Sequence, residues 1–141
     1  MTGAIIVGVD GSVTAKSAAH AARDLALSLG AALHVVTAYD DDGAIVFGTG
    51  SDHRVASHEA NAEETARAAV AELSSVDLKV TYAAVRGTAT HVLLDEARRV
   101  EARMIVVGNK GMQGLGRVLG SVATSVAHNA PCDVYIAKTA G

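Results

Sequence analysis

Tryptophan is absent from these 141 residues, cysteine and proline occur once each, and the aromatics amount to three tyrosines and one phenylalanine. A lone cysteine, Cys132, excludes an internal disulfide, and its apolar surroundings mark it as a small buried hydrophobe rather than a reactive thiol. With so few aromatics, the core has to be assembled from Ala, Val, Leu and Ile, although half of the chain is hydrophobic. Runs of basic charge are missing too. Twelve Lys and Arg stand against fifteen Asp and Glu, a formal net charge of −3, so charge does not suggest nucleic acid. No apolar stretch approaches the roughly 18 residues that span a bilayer, and the opening MTGAIIVGVD lacks the basic and apolar regions of a signal peptide. The expectation is one soluble, cytoplasmic domain over residues 1–141.

What is present is a regular alternation of apolar runs and helical spacings. Ala4 to Val9 is a continuous apolar run broken by Gly8, as in a central parallel strand covered on both faces. Asp10-Gly11-Ser12 turns the chain. Ala15, Ala18, Ala19, Ala22, Leu25, Ala26 and Leu29 then recur at helical spacing, with Gly30 as the stop. Ala31 to Ala38 reads as strand two. Asp40 to His53 is a long polar connection, of the kind that forms a lid or stays disordered. A second helix is expected from about Arg54 to Ser74, with Ala62, Ala66, Ala69, Val70 and Leu73 inward. Leu78, Val80 and Tyr82 alternate with polar residues in a strand with one face or edge exposed. Ala89, Leu93, Ala97 and Val100 mark helix three, and Met104 to Val107 strand four. Val118, Leu119, Val122 and Val126 place helix four, beginning near Arg117, until Pro131 blocks it. Cys132, Val134 and Ile136 then alternate in a last strand.

Five strands alternating with four helices predict an α/β fold, a doubly wound parallel five-stranded sheet of Rossmann-like type with helices on both faces. The continuously apolar strands one and four belong at the centre, giving the order 3-2-1-4-5. Its switch point, where ligands bind at the carboxyl ends of strands, falls between strands one and four. Asp10 and Gly108 end those strands and should face each other across one crevice.

The loop after strand four holds five glycines in thirteen residues, Gly108, Gly111, Gly114, Gly116 and Gly120. Glycine lets backbone N–H groups approach a ligand, and a helix N-terminus adds free donors and a positive dipole end, so this segment suits phosphate. Lys110 and Arg117 flank it and could neutralise phosphate charge or be ordinary solvated cations. Neither a Walker A loop nor a GxGxxG dinucleotide fingerprint is present. A phosphatase-type DxD pair is absent as well, since Gly8 stands where its nucleophile would be. Asp10 is expected to accept hydrogen bonds from a ribose hydroxyl or adenine amine, a role compatible with capping helix one. The histidines at positions 20, 34, 53, 58, 91 and 128 show no metal-ligand spacing, and no serine sits in a GxSxG elbow. His34, inside strand two, reads as structural. No catalytic residue is assigned.

IIVGVDGS, LHVVTAY, VRGTA and VVGNKGMQGLGRVLGSVATSVAHNAPCDVYIAK together resemble the universal stress protein family over the whole chain. Its ATP-binding branch carries Gly, two residues, Gly, nine residues, then Gly and Ser or Thr. Gly108, Gly111 and Gly120-Ser121 match, with Met112 to Leu119 one residue shorter than that pattern. The resemblance implies Asp10 on ribose or adenine and Val35 lining the adenine pocket. It implies Gly108, Gly111, Gly120, Ser121 and Val122 on phosphates, with Gly8 and Lys110 counted among the binding residues. It further implies ATP, with Mg2+ accompanying, and homodimers joined through Cys132–Ala137. The shortened loop keeps AMP and cyclic AMP as alternatives, and with no general base and no Walker-type lysine, hydrolysis is expected to be slow at most. A dimeric stress-response regulator or sensor follows. The alternative is an interaction module that binds no nucleotide and works through its dimer surface and the loop 40–53.

Overall fold

The computed structural model describes residues 3–40, 45–46, 54–55, 59–109 and 120–138. Its elements run β1 (Ile5–Gly8), α1 (Val13–Leu29), β2 (Leu33–Tyr39), β3 (Ile45–Val46), β4 (Arg54–Val55) and α2 (Glu59–Leu73). They continue through β5 (Val80–Arg86), α3 (Ala89–Arg99), β6 (Met104–Gly108), α4 (Ser121–Asn129) and β7 (Asp133–Ala137). β5, β2, β1, β6 and β7 lie side by side and parallel, which is the expected order 3-2-1-4-5. Val7 sits between Val35 and Val106 at the middle of the sheet.

The side-chain period of two divides the core between the faces. Ile5 and Val7 join Ala18, Ala22 and Ala26 of α1 on one side, and Ile6 joins Leu93, Ala97 and Val126 of α3 and α4 on the other. Both centres are apolar and closed to solvent, because β1 and β6 bury Ile5, Ile6, Val7, Ile105 and Val106 completely. Alanine on α1 suits this arrangement by letting its backbone come close to the sheet.

Three boundaries differ from the sequence reading. Residues 54–55 are strand, so α2 begins at Glu59 rather than Arg54, and β3 and β4 add a two-residue antiparallel ladder beside Tyr39 of β2. Most of the 40–53 connection lies outside the described residues. β5 begins at Val80, with Leu78 in a separate bridge to Ser75. α4 begins at Ser121 after an extended Gly120, not near Arg117, and residues 110–119 lie outside the described ones. It ends at Asn129 because Ala130, extended at ψ 142°, precedes Pro131.

Among the described residues, one buried side-chain group is unsatisfied. Thr37 is fully buried in β2, and its hydroxyl has no hydrogen-bond partner. Burying an unpaired hydroxyl costs free energy that a methyl does not. Thr37→Val is expected to stabilise the fold by about 1 kcal/mol, raising the melting temperature by roughly 3 °C. A melting temperature unchanged or lowered would show that the hydroxyl is satisfied after all.

Candidate functional site

At the carboxyl ends of β1 and β6 the chain turns away in opposite directions, α1 to one face of the sheet and α3 and α4 to the other. The gap between them is an open cleft of about 590 Å3, its mouth included. Its walls include Gly8 and Asp10 after β1, Thr14 and Ala15 of α1, Gly108 of β6, and Gly120 and Val122 at the start of α4. Leu93 of α3 closes one side.

The β1–α1 turn is shaped by two side chains. The Ser12 N–H donates to Asp10 Oδ1 at 2.9 Å, and the Ala15 N–H donates to Ser12 Oγ at 3.1 Å. Ser12 is therefore the helix cap, and Asp10 orders the turn one step earlier rather than capping α1 itself. Gly11 between them has φ +87°, a conformation that L side chains rarely adopt. Alternate residues of this turn face two clefts. Gly8, Asp10 and Ser12 line the one described, while Val9 and Gly11 line a second between α1 and α2.

The far wall is held to the edge of the sheet. Gly108 pairs with Ala137, and the Asn109 N–H donates to the Ala137 carbonyl at 3.0 Å, with Asn109 buried. The helix ends around the cleft are finished differently. α1 and α3 are capped by the side chains of Ser12 and Thr88, whereas the N-cap of α4 is Gly120, which makes no side-chain hydrogen bond. The first N–H groups of α4 therefore receive no side-chain cap from Gly120, at the positive end of the helix.

Of the nine binding residues expected from the sequence, Gly8, Asp10, Gly108, Gly120 and Val122 meet around this cleft. Ser121 is exposed at the first position of α4, next to the lining residues Gly120 and Val122. Val35 is fully buried between Val7 and Tyr82 and does not line the cleft. Lys110 and Gly111 lie outside the described residues. Thr14, Ala15 and Leu93 were not anticipated as lining residues. Helical spacing alone could have shown that Ala15 shares a face with Ala18, but not that this face extends past the end of β1. Cys132 is half-buried, and burial followed by the Asp133 charge pushes its thiol up, which keeps it protonated and unreactive.

Fold and cleft define a doubly wound α/β protein with an open cleft at its switch point. The family model for the universal stress protein family matches residues 1–138, and the chain belongs to that family. Universal stress protein A homolog 1 of Coxiella burnetii is 30% identical over 133 residues, covering 92% of each chain. A universal stress protein solved in complex with cAMP is 28% identical, with a TM-score of 0.67 over 99% of this chain and 98% of the other. The universal stress protein of Archaeoglobus fulgidus, 24% identical, shares the fold with a TM-score of 0.72 over 98% of this chain and 100% of that one.

Proposed function

We propose that the cleft binds an adenine nucleotide and that the chain acts as a dimeric stress-response regulator or sensor in the cytoplasm. The observation that carries this reading is the glycine-capped N-terminus of α4 opening on the same cleft as Asp10. N–H donors at a helix start that its own N-cap residue does not cover suit a phosphate, and a carboxylate that spends Oδ1 on the Ser12 N–H has Oδ2 to offer a ribose hydroxyl. The cAMP complex of a 28% identical relative supports the same ligand class.

The reading covers ATP, AMP and cyclic AMP. With ATP, Mg2+ enters on the phosphates, because Asp10 is the single carboxylate among the described lining residues. Hydrolysis is at most slow for a related reason, since Asp10 is taken up by recognition and the described walls offer no second carboxylate and no histidine as a general base. Dimerisation through Cys132–Ala137 is supported by β7, whose outer edge has no partner among the described strands and whose Tyr135 is 44% exposed. Among the described residues no helix is long and apolar enough to cross a membrane.

The test is mass spectrometry of nucleotide released from freshly purified protein, joined to calorimetric titration with ATP, AMP and cyclic AMP. Asp10→Ala is expected to weaken binding by roughly tenfold or more, the loss of a charge-assisted hydrogen bond. The absence of heat and of any thermal shift at about 1 mM nucleotide, a concentration at which even weak binding registers, would sink the proposal.

A further inference from the structure

Among the described residues, the nucleotide reading leaves one buried titratable cluster unused. His34 of β2 is 5% exposed, and both of its ring nitrogens are engaged. Nδ1 lies 2.7 Å from Thr81 Oγ1 of β5, and Nε2 lies 2.9 Å from Glu96 Oε1 of α3. Glu96 is itself buried, and Arg99 grips it from outside, Nε to Oε2 at 2.9 Å and Nη2 to Oε1 at 2.8 Å. The Arg99 fork, with the His34 hydrogen bond and charge behind it, holds the Glu96 carboxyl below its ordinary range against the opposing effect of burial. Glu96 is therefore an acceptor only.

An acceptor-only carboxylate fixes the first imidazole proton on Nε2. Nδ1 of the neutral ring then accepts from the Thr81 hydroxyl, and a second proton can enter only there. Thr81 is exposed on an edge strand, so its hydroxyl can turn its hydrogen to water and accept from Nδ1 instead. Both charge states keep both hydrogen bonds. The charged groups facing the ring are Glu96 and Arg99, both from α3. β1 pairs Ile6 with His34, and β5 contributes Thr81. α1 packs on the opposite face of the sheet, α2 does so through Ala69, Val70 and Leu73 while its Ala62 joins the cluster on the ring's face, and Arg98 is paired with Asp95 on the exposed side of α3.

Glu96 follows Leu93 by three residues, so both lie on the inward face of α3. Leu93 is the α3 residue that lines the cleft. We propose that His34 is a proton-operated tie between α3 and the sheet, and that its protonation draws Glu96 inward, sets the Leu93 wall of the cleft and tightens nucleotide binding. This rests on the cleft being the nucleotide site. Protonation turns the Nε2–Glu96 contact from a hydrogen bond to a neutral ring into an ion pair, so the tie is stronger at low pH. By linkage, nucleotide must in turn favour protonated His34 by the same factor.

The experiment follows the His34 ring and Leu93 methyl resonances from pH 5.5 to 8, with and without cyclic AMP, in wild type and His34→Gln. Cyclic AMP is the probe because neither its phosphodiester nor its base titrates in that window. Gln retains an N–H donor for Glu96 but takes up no proton. In wild type the Leu93 methyl is expected to track the His34 titration, and affinity to rise about fivefold from pH 8 to 5.5, the lower end of ordinary coupling. The His34→Gln profile should be flat. A His34 ring that does not titrate, a Leu93 resonance indifferent to it, or the same affinity slope in His34→Gln would each overturn the tie. Should cyclic AMP bind at no pH while Leu93 still follows His34, the tie stands and the nucleotide reading fails.

Discussion

An Ala15→Phe variant is expected to lose nucleotide affinity by at least about 100-fold while melting within roughly 2 °C of the parent. Ala15 is half-buried on the first turn of α1, and it lines the cleft. Its contribution to the helix is made by the backbone, through the N–H that meets Ser12 Oγ, and phenylalanine keeps that bond. The new ring has open space ahead of it rather than packed core, so the stability cost is the small difference in helix propensity. The same ring occupies volume that a nucleoside would need. Calorimetric titration beside a thermal melt separates the two effects. Unchanged affinity in a folded Ala15→Phe protein would place the ligand elsewhere.

The switch-point site was legible because its two ends lie in the most strongly patterned parts of the chain. Ile5–Val7 and Ile105–Val107 are apolar without interruption, which only burial on both faces explains, and central strands in a doubly wound sheet fix where the crevice must fall. Asp10 and Gly108 followed from position alone. The start of α4 was not legible. Val118 and Leu119 continue the spacing of Val122 and Val126, so periodicity extends the helix backwards, while the backbone extends at Gly120 and ends it. Propensity does not record such a stop when the residue before the helix is glycine. The Ser12 cap was passed over for a related reason, since Asp and Ser are nearly equal caps and geometry decides between them. The His34–Glu96 contact joins residues 62 apart in sequence. Nothing in either residue's neighbourhood points to the other, and only the packing of α3 across β1 and β2 brings them together.

The largest loss of stability is expected from Ile105→Ala. Ile105 is fully buried in β6, paired with Ile6 on one side and Val134 on the other, and it belongs to the core that α3 and α4 cover. Removing three carbons there forfeits the transfer free energy of the side chain and leaves a cavity that two rigid neighbouring strands cannot close. Such substitutions cost about 2–5 kcal/mol, and the central position argues for the upper half of that range. At about 3 °C per kcal/mol for a domain of this size, the melting temperature should fall by roughly 10 °C or more. Val76→Ala is the matched control, because Val76 is fully exposed and its loss should stay within about 0.5 kcal/mol. Chemical denaturation of both variants makes the comparison at constant temperature, with the slope against denaturant expected to remain unchanged. If Ile105→Ala cost no more than Val76→Ala, β6 would not be the buried centre of the sheet. The cleft between β1 and β6 would then lose the frame that holds Gly108 opposite Asp10.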